Sequence, residues 1–223
     1  MKKFLILIAL FLVFSPAYSM EIDLFKLGEQ QKYINEIGFR ILNSNKIDKR
    51  VIFYYYPEKK EVSFSSKNAT RKVVIPQGVM AYIDSDDEMA TLLAHEIAKN
   101  VESYNGLFKG YFYGLRYTFT PRKYETMADK KSIDYLVQAG YNPVASIVLF
   151  SKMLGETRYE YYLDNPVTSK RMMTIYEYIY RKYPAYLANN KYIDNIYYQN
   201  FLLTSQKERE KFKNQIQQNS TRI

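Results

Sequence analysis

The chain has 223 residues, of which 47% are hydrophobic, enough to bury the core of one domain and too many for a disordered sequence. It contains no cysteine, which excludes disulfides and a cysteine-linked lipid anchor. The formal net charge is +9, but the basic residues are spread along the chain and form no nucleic-acid-binding motif. We therefore expect no nucleic-acid partner. The charge is typical first of an ordinary solvated surface, and second of a weak peripheral contact with an anionic membrane surface.

The first 19 residues predict a secretory signal peptide. A basic start at Lys2 and Lys3 precedes an apolar run over residues 4–14, and Ala17-Tyr18-Ser19 fits the small-x-small rule of signal peptidases. The alternative is an uncleaved anchor, for which the apolar run is short, since a span needs about 20 residues. We expect cleavage after Ser19 and export to the periplasm or cell envelope.

The next part of the chain predicts a helix followed by strands. Residues 21–44 place apolar side chains near helical spacing, which is typical of an amphipathic helix. Two β-rich runs then lie on either side of the turn at residues 57–60, and two more lie on either side of Pro76-Gln77-Gly78. These four runs predict a small, mainly antiparallel sheet of three or four strands.

From Asp84 onward the pattern becomes helical. Ser85 and Glu88 have the spacing of a capping box, which begins a helix that continues to about residue 104. Residues 105–121 are rich in glycine and aromatic side chains and are interpreted as a loop or lid. Further helices are predicted from Pro121 to a C-cap at Gly140, from residue 142 to about 155, and from residue 166 to 183. We expect one domain over residues 20–190 and a polar helical extension over residues 191–223.

Two of these helices carry the residues that point to chemistry. His95 and position 99 lie on one side of the first helix because they are four residues apart, and Glu96 follows His95. Glu125 and Asp129 share one side of the next helix for the same reason. A histidine pair at this spacing with a following glutamate is typical of a zinc peptidase, but Lys99 stands at the second position. Taken singly, a lone histidine and two carboxylates are also typical of an ordinary helix surface.

Three segments in order resemble a known family. They are "DDEMATLLAHEIAKN", "YETMADKKSIDYLVQAGYNP" and "NPVTSKRM", which together extend from about Arg71 to Arg171 when the preceding strand run is included. They are similar to the HtpX, BepA and CAAX-prenyl-protease type of zinc metallopeptidase, with its H-E-x-x-H helix, its E-x-x-A-D helix and its later H-P-x-x-x-x-R motif. The resemblance implies an α+β, zincin-like fold, in which a small sheet packs beside a helical bundle.

The resemblance also implies roles for individual residues. His95 matches the first zinc ligand, Glu96 the general base and Glu125 the third ligand. Asp129 matches the aspartate beside the site, which would orient His95, and Arg171 matches the arginine of the last motif. The run "RKVVIPQGVMAYID" occupies the place of the family's substrate-binding edge strand.

Two positions depart from the family pattern. Lys99 replaces the second zinc ligand, and a protonated lysine has no lone pair to offer a metal. His95 is the only histidine of the chain, so no other imidazole can substitute. Asn165 replaces the histidine of the last motif, which affects stabilisation of the oxyanion. A different role for Lys99 is that of an internal cation between Glu96 and Glu125, which takes over the structural part of the zinc's role.

Three functions therefore compete. The first is a degenerate, weak or inactive peptidase-like protein of the cell envelope that binds polypeptide by strand addition beside "GVMAYID". The second is an active zinc metalloendopeptidase in envelope protein quality control, with an altered metal site at His95 and Glu125. The third is an exported helical protein without a site.

Overall fold

The computed structural model describes residues 24–58, 60, 71–103, 121–154 and 168–220. Within them the fold is α+β and mainly helical, with one two-stranded sheet. The predicted signal peptide, most of the glycine- and aromatic-rich segment and Asn165 lie outside the described residues. No helix of the described part is both long and apolar enough to span a bilayer.

The elements in chain order are α1 (Leu24–Ser44), β1 (Ile52–Tyr56), β2 (Lys72–Pro76), α2 (Gln77–Met80), α3 (Asp86–Ser103), α4 (Pro121–Gln138), α5 (Ala145–Leu154), α6 (Thr168–Lys182), α7 (Ala185–Ala188), α8 (Ile196–Thr204) and α9 (Gln206–Ser220).

The prediction of a mainly antiparallel sheet is wrong for the described strands. β1 and β2 are parallel, with Ile52 opposite Lys72 and Tyr56 opposite Pro76. A parallel pair needs a long connection that returns the chain to the same end of the sheet, and residues 57–71 are long enough for this. Alternation of apolar side chains sets which side of a strand is buried but not its direction, so the sequence pattern did not reveal the parallel pairing. The second predicted strand, residues 61–65, lies outside the described residues.

The run "GVMAYID" is likewise not a strand. Gln77–Met80 form the single helical turn α2, and residues 81 and 82 continue as a turn. Pro76 has the extended backbone of a helix N-cap, with φ −70° and ψ 150°, so the chain turns into α2 directly at the end of β2. Of the run predicted to occupy the place of an edge strand, residues 72–76 are therefore strand β2 and residues 77–80 are helical.

Helix α3 begins at the predicted capping box. The backbone N–H of Glu88 donates to Ser85 Oγ at 3.3 Å, while Glu88 Oε2 accepts from the backbone N–H of Asp84 at 2.7 Å. Each acidic side chain of this first turn also has a partner from another element. Tyr33 on α1 donates to Asp86 at 3.0 Å, the Asn142 N–H donates to Asp87 at 2.9 Å, and Lys152 on α5 contacts Glu88. These contacts set the position of the helix that carries His95.

Helix α4 ends at Gly140 as the sequence predicts. Gly140 has φ +79°, a left-handed conformation that costs glycine least, and the Tyr141 N–H closes the helix end by donating to the carbonyl of Leu136 at 2.9 Å. Helix α4 packs closely along α3, and α6 covers both α4 and α5. Helices α3, α4 and α6 therefore converge on the residues of the candidate site.

The C-terminal segment packs on the same core as the site helices. Tyr198, Phe201 and Phe212 are buried in the cluster that also contains Ile97 and Leu136. The hydroxyl of Tyr192 donates to Asp87 at 2.9 Å, and Lys191 pairs with the same carboxylate. Residues 191–220 thus contact the start of α3 directly.

Candidate active site

The structure brings together four of the predicted site residues from three helices. His95 lies on α3, Glu125 and Asp129 lie one turn apart on α4, and Arg171 lies on α6. His95 Nε2 is 3.2 Å from Glu125 Oε2, and His95 Nδ1 is 3.1 Å from Asp129 Oδ1. His95, Glu125 and Asp129 are all buried. The spacing of four residues on each helix accounts for this arrangement, because it stacks the side chains on one helix face.

Arg171 binds this cluster mainly through Asp129. Its Nε donates to Oδ2 at 2.8 Å and its Nη2 donates to Oδ1 at 2.7 Å, a bidentate pair. Nη2 also lies 3.4 Å from Glu125 Oε2 and 3.3 Å from His95 Nε2. The arginine of the last motif therefore joins α6 to the residues of α3 and α4.

Lys99 lies at the position where the second histidine of the motif would stand. Its Nζ is 3.4 Å from Glu96 Oε1 and 3.5 Å from Glu125 Oε1. The lysine side chain is mostly buried, with 11% of its surface exposed, and both carboxylates are buried more deeply. The ammonium group thus bridges a carboxylate of α3 and a carboxylate of α4.

Positively charged side chains neutralise the buried carboxylates of Glu125 and Asp129. Burial by itself raises the pKa of Glu125, but the nearby His95, Lys99 and Arg171 outweigh it and hold that pKa well below its usual range. Burial also acts against ionisation of Asp129, and Arg171 and His95 again lower its pKa. Both acids are therefore ionised at neutral pH, and their charges are balanced by side chains of the protein itself.

The surroundings of His95 favour the protonated form of its imidazole. Burial lowers the pKa of the imidazole, but the carboxylates of Asp129 and Glu125 outweigh burial and raise it overall. The 3.1 Å contact between Nδ1 and Asp129 is poorly aligned, so within the described residues Nδ1 has no well-formed hydrogen bond. The imidazole is therefore held by electrostatic attraction on both sides rather than by one oriented hydrogen bond.

Glu96 has one carboxylate oxygen engaged and one without a partner. Oε1 faces Lys99, whereas Oε2 is buried and has no hydrogen-bond partner within the described residues. Glu96 is 3% exposed. An unpartnered buried oxygen is costly and calls for an explanation, of which a catalytic role or a bound water or ion are examples.

Phe150 belongs to the site although the sequence did not indicate it. Its ring meets the His95 imidazole edge to face with centroids 5.8 Å apart, and the Arg171 guanidinium lies 4.4 Å from its centroid. The only sequence signal is that Phe150 lies on the helix after "AGYNP". Among the predicted residues, Asn165 alone lies outside the described part of the chain.

The residues present do not fit a zinc site with three protein ligands. His95 Nε2 and Glu125 Oε2 are 3.2 Å apart, close to the separation of about 3.3 Å between two ligands on tetrahedral zinc. The position of the second ligand carries the ammonium of Lys99, which repels a dication and has no lone pair while protonated. Within the described residues, no group of three or more His, Cys, Asp or Glu side chains is arranged to hold a metal ion.

Comparisons with known proteins covered family models, curated proteins and solved structures. None of them matches. The resemblance to zinc metallopeptidases thus remains a prediction from motif residues.

Proposed function

We propose that this protein is an exported, peptidase-like protein of the cell envelope with a zincin-like fold, little or no catalytic activity, and a role in binding polypeptide. The observation that carries the proposal is the position of Lys99 Nζ, 3.4 Å from Glu96 and 3.5 Å from Glu125. A cation of the chain lies where the resemblance expects a metal ligand. It neutralises the carboxylates without the Lewis acidity that peptide hydrolysis by zinc requires.

The sheet suggests where a polypeptide would bind. The Ile52 N–H donates to the carbonyl of Arg71. The backbone N–H and C=O groups of every second residue of β1, starting at Ile52, therefore point towards β2. The outer edge of β1 is closed by the Gln31 side chain, which accepts from the Tyr55 N–H at 2.8 Å and donates to the Phe53 carbonyl at 3.1 Å. By the same alternation, the backbone groups of Val74 on β2 point away from β1. We expect strand addition at this edge of β2 rather than at "GVMAYID".

The test is binding of an unfolded, fluorescently labelled polypeptide, measured by anisotropy, with cleavage followed by gel electrophoresis. We expect binding without cleavage. Val74→Pro removes an outward N–H and should weaken binding about tenfold, while Val74→Thr keeps the N–H and should bind normally. Equal binding by both variants would exclude this edge, and no binding by the natural protein would exclude the proposed function.

An active zinc metalloendopeptidase in envelope protein quality control is the second candidate. It is favoured by the 3.2 Å separation of His95 Nε2 and Glu125 Oε2, which suits two ligands of one metal ion. Its test is cleavage of the same polypeptide, inhibited by chelators and abolished in Glu96→Gln. Cleavage that meets both conditions would replace the first proposal.

A further inference from the structure

The end of the chain carries an exposed apolar surface, which we call the C-terminal face. It consists of Ile193, Ile196, Tyr197 and Leu203, which are 47%, 75%, 41% and 74% exposed. Eight large hydrophobic side chains are exposed among the described residues, and four of them lie in this stretch of eleven residues. Single exposed apolar side chains are common on protein surfaces, but a concentration of this kind marks an interaction site.

Helical geometry places Ile196 and Leu203 on the side of α8 that faces away from the core, since residues seven positions apart share one helix face, while Ile193 lies in the turn before the helix. Tyr198, Phe201 and Phe212 form the inner stripe. Ser205 separates α8 from α9 with a non-helical backbone, φ −100° and ψ 11°, while its N–H donates to the Phe201 carbonyl at 3.0 Å and its carbonyl accepts from the Arg209 N–H at 2.9 Å. Helix α9 thus follows α8 with one residue between them.

Exposed basic side chains follow the apolar ones along the chain. The residues four and eight positions after Leu203 are Lys207 and Lys211, and both are exposed. Helix α8 contains no charged residue, and α9 has four basic residues against two acidic ones. The whole chain has a formal net charge of +9. An apolar patch that merges into lysines is complementary to the boundary between the acyl chains and the headgroups of an anionic bilayer.

We propose that the C-terminal face docks on the surface of a membrane containing anionic lipids. Ile196, Tyr197 and Leu203 enter the headgroup boundary, while Lys207 and Lys211 contact lipid phosphates. The face has four apolar side chains, whereas each partner of a stable protein interface contributes about 20–30 residues, so a second copy of the chain fits the patch poorly. This proposal is independent of whether the candidate site is active.

Because the chain contains no cysteine, a single introduced cysteine can be labelled specifically. A single cysteine introduced as Asn200→Cys, between the apolar residues of the face, carries an environment-sensitive fluorophore. We expect a blue shift with vesicles of phosphatidylglycerol and phosphatidylcholine, no shift with phosphatidylcholine alone, and weaker binding at high salt. The same probe at Lys32→Cys on α1, where the side chain is 77% exposed, should not shift.

A pair of substitutions tests the apolar side chains themselves. In the labelled protein, Ile196→Ser with Leu203→Ser should weaken vesicle binding at least tenfold, while Ile52→Ser with Met127→Ser, at two exposed positions elsewhere, should leave it unchanged. The proposal is overturned by no shift at Asn200→Cys, by an equal shift with neutral vesicles, or by a shift that depends only on protein concentration. The last result would identify association of two chains instead.

Discussion

Lys99 differs from a histidine ligand in having a charge and, while protonated, no lone pair. Its Nζ lies within 3.5 Å of carboxylates on α3 and α4, so it joins the same two helices that a shared metal would join. Without this cation, Glu96 and Glu125 would face each other across a buried space. Lys99 therefore has a structural role, that of an internal cation between α3 and α4.

Lys99→Ala should lower the free energy of unfolding by about 2–3 kcal/mol at neutral pH, because it removes one partner of a buried ionic group and leaves its carboxylates less compensated. The measurement is equilibrium unfolding in urea. Lys32→Ala removes a cation from an exposed pair with Glu36 and should change stability by less than about 1 kcal/mol. If Lys99→Ala were as stable as Lys32→Ala, the structural role of Lys99 would be wrong.

At the scale of elements, α1 approaches the sheet most closely at Gly38. A Cβ at this position would lie 2.5 Å from the Phe53 ring of β1, much closer than side chains pack. Gly28, on the same helix, has nothing within 4 Å of its Cβ position. The two glycines thus form a matched pair, one required by packing and one not.

Gly38→Ala should destabilise the protein by about 1–3 kcal/mol, because Phe53 or the helix must move. Gly28→Ala should stabilise it by about 0.5–1 kcal/mol, since alanine favours a helix and meets no neighbour. Thermal unfolding followed by circular dichroism measures both changes. Equal effects of the two substitutions would show that α1 does not pack on β1 as described.

The elements differ in how well the sequence predicts them. The bounds of α1, α3, α4 and α5 follow from apolar spacing, the Ser85 cap and Gly140, which are local signals, and the structure confirms them. The parallel pairing of β1 with β2 depends on a contact between distant parts of the chain, for which the sequence has no local signal. The helical turn after Pro76 was missed because a short apolar run fits strand and helix equally well.

The site was predicted well within each helix and less well between helices. Spacing alone placed His95 with position 99 and Glu125 with Asp129, since each pair lies on one helix. The contact of Lys99 with Glu96 and Glu125 agrees with the internal-cation interpretation. The approach of Phe150 could not be foreseen, because it depends on how α5 packs against α3.

At the scale of the whole molecule, buried tyrosines link the C-terminal segment to the core. Tyr198 is buried in the hydrophobic core cluster, and Tyr192 donates to Asp87 at the start of α3. Burial raises the pKa of Tyr198 to about 12, and burial followed by the nearby Asp87 raises that of Tyr192. Folding therefore favours the protonated phenols of both residues.

The raised pKa values of Tyr192 and Tyr198 predict that the protein unfolds at alkaline pH. A phenol whose pKa is raised by folding contributes stability below its unfolded value of about 10, and that stability is lost as the pH rises towards the folded value. Between about pH 10 and pH 12 we expect tyrosinate absorbance and loss of helical circular dichroism to change together. Tyr198→Phe should shift this transition to higher pH. Full tyrosine ionisation with unchanged helix content would contradict the predicted burial.

Zinc content tests the central claim, that Lys99 replaces a metal ligand and acts as an internal cation. The measurement is elemental mass spectrometry of the purified protein beside its Lys99→His variant. We expect no stoichiometric zinc in the natural protein and about one ion per chain in the variant, which regains the missing second ligand. Glu125→Ala in the variant should remove that zinc again. About one zinc ion per chain in the natural protein would contradict the account and favour an active metallopeptidase.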